Sequence, residues 1–188
     1  MYDLVLKNCN VVNENVVSEV DIGINNERIE KIAGNISSEA RNEIDLQGKL
    51  LIPGLIDDQV HFREPGLTHK GEIATESKAA IAGGVTSYFE MPNVNPNTST
   101  IENLEKKFDI AANKSYANYS FYLGATNDNI EEIKKSDPNA SCGLKVFMGA
   151  STGDLLVDKY ESLEKIFEHC PTNIVTHCED PKRLIENE

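Results

Sequence analysis

The chain has 188 residues, 39% of them apolar, and 31 acidic against 18 basic side chains give a net charge of −13. The apolar share is enough for a core and excludes a disordered tail, and the acid excess argues against nucleic acid or an anionic membrane surface as partner. No apolar run reaches the ~18 residues of a spanning helix, and Met1-Tyr2-Asp3-Leu4-Val5 lacks the basic start of a secretory signal.

Residues 1–52 alternate in short runs: Asp3-Leu4-Val5-Leu6, Val20-Asp21-Ile22-Gly23-Ile24, Arg28-Ile29-Glu30-Lys31-Ile32 and Asn42-Glu43-Ile44-Asp45-Leu46. Asn25-Asn26-Glu27 is a plausible hairpin turn, and Gln47-Gly48-Lys49 a corner. The expectation is a small antiparallel sheet with one wet face. From Pro53 the rhythm becomes strand, loop, helix. Strands are expected at Gly54–Phe62, Val85–Met91, Tyr119–Gly124, Gly143–Met148 and Asn173–His177. Helices are expected at Gly71–Ala82, stopped by Gly83-Gly84, and at Ile101–Lys114, opened by a capping-box pattern over Ser99–Glu102. Asn129–Lys135 and Lys159–Glu168 follow as helices, and Glu186-Asn187-Glu188 closes the chain as a polar stretch. Strand starts at roughly 30-residue spacing imply βαβ units and a parallel sheet. A (β/α)8 barrel takes ~250 residues, so residues 53–188, with about five strands, read as the first part of a truncated barrel.

The chemistry-bearing residues cluster at strand ends. His61, Lys145 and His177 fall at or near the C-terminal ends of three strands, the rim where β/α barrels place active sites. A single histidine means little, and His69 and His169 sit in a polar loop and near a helix end. Lys145 lies inside the apolar run Gly143-Leu144-Lys145-Val146-Phe147-Met148, where an unpaired ammonium is costly. It is carboxylated to an anionic metal ligand, or a Schiff-base lysine, or it snorkels outward. Arg63 shares a strand face with His61 and can grip a carboxylate in a bidentate manner, or pair with Asp57, Asp58 or Glu64. Asn93 can donate and accept to a planar ring, or serve as a turn residue in Asn93-Val94-Asn95-Pro96-Asn97. Cys9, Cys142, Cys170 and Cys178 are scattered without a CxxC pair, which suits reduced thiols in the cytoplasm. Cys178 beside His177 reads as packing on the opposite strand face.

Taken together, these segments resemble the cyclic amidohydrolases, and the dihydroorotases most closely. The resemblance is carried by Pro53–Gly66 with its His61-Phe62-Arg63-Glu64-Pro65-Gly66, by Gly83-Gly84-Val85-Thr86 and Glu90-Met91-Pro92-Asn93, by Gly143–Met148, and by Thr176-His177-Cys178-Glu179-Asp180. It implies a metal-dependent barrel with a small β-sandwich built in part from the N-terminal strands, and one or two Zn²⁺ ions. His61, N-carboxylated Lys145 and His177 are the implied metal ligands, and Arg63 and Asn93 the implied substrate-binding residues. The implied reaction interconverts dihydroorotate and N-carbamoyl-L-aspartate in pyrimidine biosynthesis, with a small molecule as partner, a homodimer as the common assembly and the cytoplasm as its place.

Two departures qualify that picture. The family's first strand carries His-x-His, and here the earlier position is Gln59, a poorer zinc ligand. The family's third histidine and its acid/base aspartate come from later strands, so the catalytic aspartate is expected beyond residue 188. The 188 residues alone are expected neither to close a barrel nor to turn over substrate. The competing readings are a non-catalytic dihydroorotase-like scaffold, motivated by Gln59, and a related allantoinase, hydantoinase or dihydropyrimidinase.

Overall fold

The alternating runs at the start of the chain pair into a five-stranded sheet in a computed structural model that describes residues 1–149 and 153–187. Its strands are β1 (Tyr2–Asn13), β2 (Val16–Asn25), β3 (Arg28–Ala33), β4 (Ala40–Asp45) and β5 (Leu50–Leu51), ordered β3-β2-β1-β4 with β5 also on β1. Two-residue turns join the first three strands: Glu14-Asn15 at φ 49° and 64°, and Asn26-Glu27 at φ 49° and 62°. Positive φ at both central residues gives the twist that antiparallel neighbours require. The sheet is not wholly antiparallel as expected, because β4 and β5 run parallel to β1. The chain must therefore cross the sheet between β3 and β4, and a buried carboxylate pins that crossing. Asp21, only 4% exposed, accepts from the backbone N–H groups of Ile36 (2.9 Å) and Asn8 (3.0 Å) and pairs with Lys7 at 3.0 Å. Lys7 also donates to the Ile36 carbonyl. Burial raises the Asp21 pKa, but these donors outweigh it and hold the carboxyl below its ordinary value.

These strands form one compact unit, Met1–Gly54; the second is Leu55–Glu188. The second contains β6 (Leu55–Val60), α1 (Ile73–Ala82), β7 (Val85–Glu90), α2 (Ile101–Lys114), β8 (Asn118–Gly124), α3 (Ile130–Ile133), β9 (Gly143–Phe147), α4 (Tyr160–His169), β10 (Ile174–His177) and α5 (Pro181–Glu186). Its five strands are all parallel and pair in chain order, β6 through β10, as a half-barrel sheet. Two apolar clusters attach helices to one face. Tyr88 and Phe121 pack with Ile73, Leu104 and Ala111, and Leu123, Leu144 and Val146 with Ile133 and Ile166. By strand alternation Phe89, Tyr122, Gly124, Lys145 and Phe147 face the other way.

The helix signals need three adjustments. The N-cap of α2 is Thr100, whose hydroxyl accepts from Asn103 N–H at 3.1 Å, and Glu102 turns outward to pair with Lys106 instead of closing a capping box. α3 is shorter than the 129–135 expected, because Lys134 already caps it. The polar end of the chain includes α5, which starts at Pro181, a residue suited to a first helical turn. No helix among the described residues is long and apolar enough to cross a membrane.

Candidate active site

The candidate residues converge at the C-terminal edge of the parallel sheet. His61 follows β6 directly, Asn93 lies three residues beyond β7, Lys145 sits within β9, and His177 is the last residue of β10. The tightest grouping is at β6 and β7. His61 Nδ1 donates to Asn93 Oδ1 at 2.9 Å, which leaves Nε2 as the free lone pair of the neutral ring. Desolvation, then the Arg63 guanidinium, lower the His61 pKa, so the ring is held neutral and able to act as a ligand. Arg63 Nη1 reaches the Asn93 carbonyl at 3.4 Å. Among the described residues no acid pairs with Arg63, because Glu64 is taken by Lys114 and by Ile73 N–H at 2.9 Å.

Backbone geometry forces this grouping. Arg63 adopts φ 70°, an uncommon conformation for a residue with a side chain, and so turns the chain sharply off the end of β6. Pro65 O accepts from Asn95 N–H at 3.1 Å, locking the Arg63 loop onto the Asn93 loop. Gly66 permits that contact: a Cβ there would lie 1.9 Å from Asn95 O, and its φ of 79° also favours glycine.

Lys145 is 2% exposed, and among the described residues its ammonium has no hydrogen-bond acceptor or acid partner. Its one neighbour of note is the Phe147 ring, 5.1 Å from Nζ to the centroid. Burial lowers its pKa, opposed by Cys178. Cys178 itself is exposed, which corrects its reading as a packing residue. His177 is turned aside, with Nε2 3.1 Å from Glu179 Oε2 and its ring 6.0 Å from that of Phe147. Gln59 is exposed on β6. Among the described residues no three His, Cys, Asp or Glu side chains come together as a metal cage. The donor set is partial: one imidazole with a free lone pair, and one buried amine without a counter-ion.

Sequence reasoning missed a second buried lysine. Lys107 of α2 and Glu90 of β7 are both fully buried, with Nζ 3.0 Å from Oε2. Glu90 Oε1 accepts from Arg63 N–H at 3.0 Å. Lys107 in turn donates to the Met91 carbonyl at 3.0 Å. Burial drives the Glu90 pKa up and the Lys107 pKa down, and their mutual attraction opposes both shifts. The signal was available, since Leu104, Lys107 and Ala111 share one face of α2 and put a cation on its apolar side.

Comparison with known proteins supplies the family context. Residues 48–139 match the family model described as dihydro-orotase-like. Over 185 residues the chain is 35% identical to an allantoinase of Desulfitobacterium hafniense (strain Y51), covering 95% of this chain and 41% of that protein. Over 190 residues it is 33% identical to an allantoinase of Salmonella paratyphi B, with the same coverage of 95% and 41%. Among solved structures it resembles the L-hydantoinase (dihydropyrimidinase) from Arthrobacter aurescens, with a TM-score of 0.92, 29% identity, and coverage of 99% of this chain and 43% of that one. The chain thus spans about two fifths of the length of the relatives it matches.

Proposed function

We propose that this chain belongs to the cyclic amidohydrolase superfamily, as its similarity to dihydro-orotase-like, allantoinase and hydantoinase proteins supports, and that it is the front part of a zinc-dependent hydrolase whose cyclic amide substrate carries a carboxylate, dihydroorotate being the substrate of choice. The observation that carries the choice is Arg63, a guanidinium at the sheet's C-terminal edge with no acid partner among the described residues, held beside Asn93. A planar fork of N–H donors is suited to a carboxylate. Allantoin and the hydantoins are neutral rings with no need for it.

In this reading Arg63 binds the ring carboxylate, and the Asn93 amide N–H₂, left free by the His61 contact, donates to a ring carbonyl. His61 through Nε2, Lys145 after carboxylation of its amine, and His177 after leaving Glu179 would hold zinc, with the rest of the site supplied by residues outside this chain. Bound there, zinc would lower the pKa of water and polarise the scissile carbonyl. Carboxylation also answers the Lys145 puzzle, since it replaces an unpaired buried cation with an anion that a metal can neutralise.

The test is ring opening by the full-length, zinc-loaded protein on dihydroorotate, allantoin and hydantoin in parallel. Preference for dihydroorotate, lost on chelation, is the expected result. Preference for allantoin, the substrate named for the relatives above, would replace it with the allantoinase reading. A folded, zinc-loaded protein inert to all three would favour a binding or scaffolding role, with Gln59 as its cause.

A further inference from the structure

We infer that the buried Glu90–Lys107 pair is a positioning unit that sets Arg63 and Asn93 for the substrate, an inference that rests on the proposed roles of those two residues. The β6–β7 ladder ends where Val60 pairs with Glu90 and Met91 N–H reaches Val60 O at 3.0 Å. Beyond it, Arg63 has left the strand, and among the described residues no backbone carbonyl receives its N–H. Glu90 supplies that acceptor from beneath, at 3.0 Å from Arg63 N–H. Lys107, at 3.0 Å from Glu90, holds the Met91 carbonyl two residues before Asn93. One ion pair therefore fastens both loops at their exits from the sheet.

The pair does not face the substrate edge. Glu90 shares its strand face with Tyr88, which packs among the helix residues, and Lys107 lies 5.0 Å from the Phe121 ring centroid in that same layer. Neither residue is catalytic; both act through Arg63 and Asn93. Stability alone does not account for them, because well-packed apolar side chains usually serve as well as a buried ion pair. What apolar side chains lack is an acceptor for the Arg63 N–H, at the residue whose φ of 70° aims the guanidinium. A misplacement of about 1 Å in such a group can cost on the order of a hundredfold.

The experiment is calorimetric titration of dihydroorotate into the full-length, zinc-loaded protein, with urea unfolding run alongside. Glu90→Leu with Lys107→Met removes both ties. It is expected to unfold near the wild-type midpoint yet bind roughly 10–100-fold more weakly. Glu90→Gln with Lys107→Met keeps a carbonyl acceptor for Arg63 N–H and is expected to recover most of that loss. Wild-type affinity in the folded apolar variant overturns the inference. Arg63→Gln separates the two layers of argument. If it leaves dihydroorotate affinity unchanged, the clamp reading fails and takes this inference with it; if it weakens binding while the apolar pair does not, only the positioning claim falls. Should the apolar variant not fold, amide hydrogen exchange on the unaltered protein decides: Arg63 N–H is expected to be protected like the strand ladder, and free exchange overturns the inference.

Discussion

The two faces of the parallel sheet treat buried lysines in opposite ways. On the helix-covered face Lys107 is fully buried, with Glu90 and the Met91 carbonyl each at 3.0 Å. On the other face Lys145 is almost as buried and, among the described residues, has neither an acid nor an acceptor. The same residue type thus has its desolvation cost answered within the fold in one place and left unanswered in the other. A satisfied buried charge organises its neighbours; an unsatisfied one points to chemistry that the polypeptide alone does not complete.

Substitution can break this contrast most sharply at Lys145. Lys145→Met is expected to lower turnover of the full-length, zinc-loaded protein by on the order of 10³-fold, while leaving the metal-free protein as stable in urea as before. A large loss of stability would show that Lys145 is structural after all. Lys107→Ala should behave in the reverse way. It leaves the Glu90 carboxylate buried and unpaired, at a cost of about 3–5 kcal/mol, measured by urea unfolding.

Asp21 extends the comparison to the other unit as a buried charge with every partner present. Asp21→Asn is expected to cost about 1–3 kcal/mol at neutral pH. Because the folded pKa is depressed, this stabilisation is fully present above the ordinary unfolded carboxylate value of about 3.9 and fades as pH falls through the lower folded value. The gap between wild type and variant should therefore close on acidification, as thermal melts from pH 7 downward would show. A constant gap would assign the loss to packing. The smallest effect is expected at Thr100→Ala, about 1 kcal/mol from the lost α2 cap, since that cap touches neither lysine.

Much of the architecture was legible because it is written in local periodicity. The five parallel strands and α2 fall where alternation and spacing put them, and Gly83-Gly84 ends α1. The direction of β4 and β5 was not legible. It depends on the crossing pinned by Asp21 and Ile36, a contact 15 residues apart in sequence. At the site, the types and strand-end positions of His61, Arg63, Asn93, Lys145 and His177 could be read in advance. Their mutual geometry could not: the His61–Asn93 hydrogen bond and the engagement of His177 by Glu179 arise from loop packing, which leaves no periodic trace. Glu90 was seen only as part of a motif, since nothing in an apolar strand reveals that its last residue reaches a lysine on a helix.

The left-handed backbone at Arg63 also bears on how this site could change over generations. A φ of 70° is costly for β-branched side chains and easiest for glycine, asparagine and aspartate. The alphabet open to mutation at this position is therefore narrow. Drift toward a neutral ring would pass most readily through asparagine or glycine, which relieve the backbone as they discard the positive charge. Valine, isoleucine or threonine would incur a folding penalty before any new specificity could be selected.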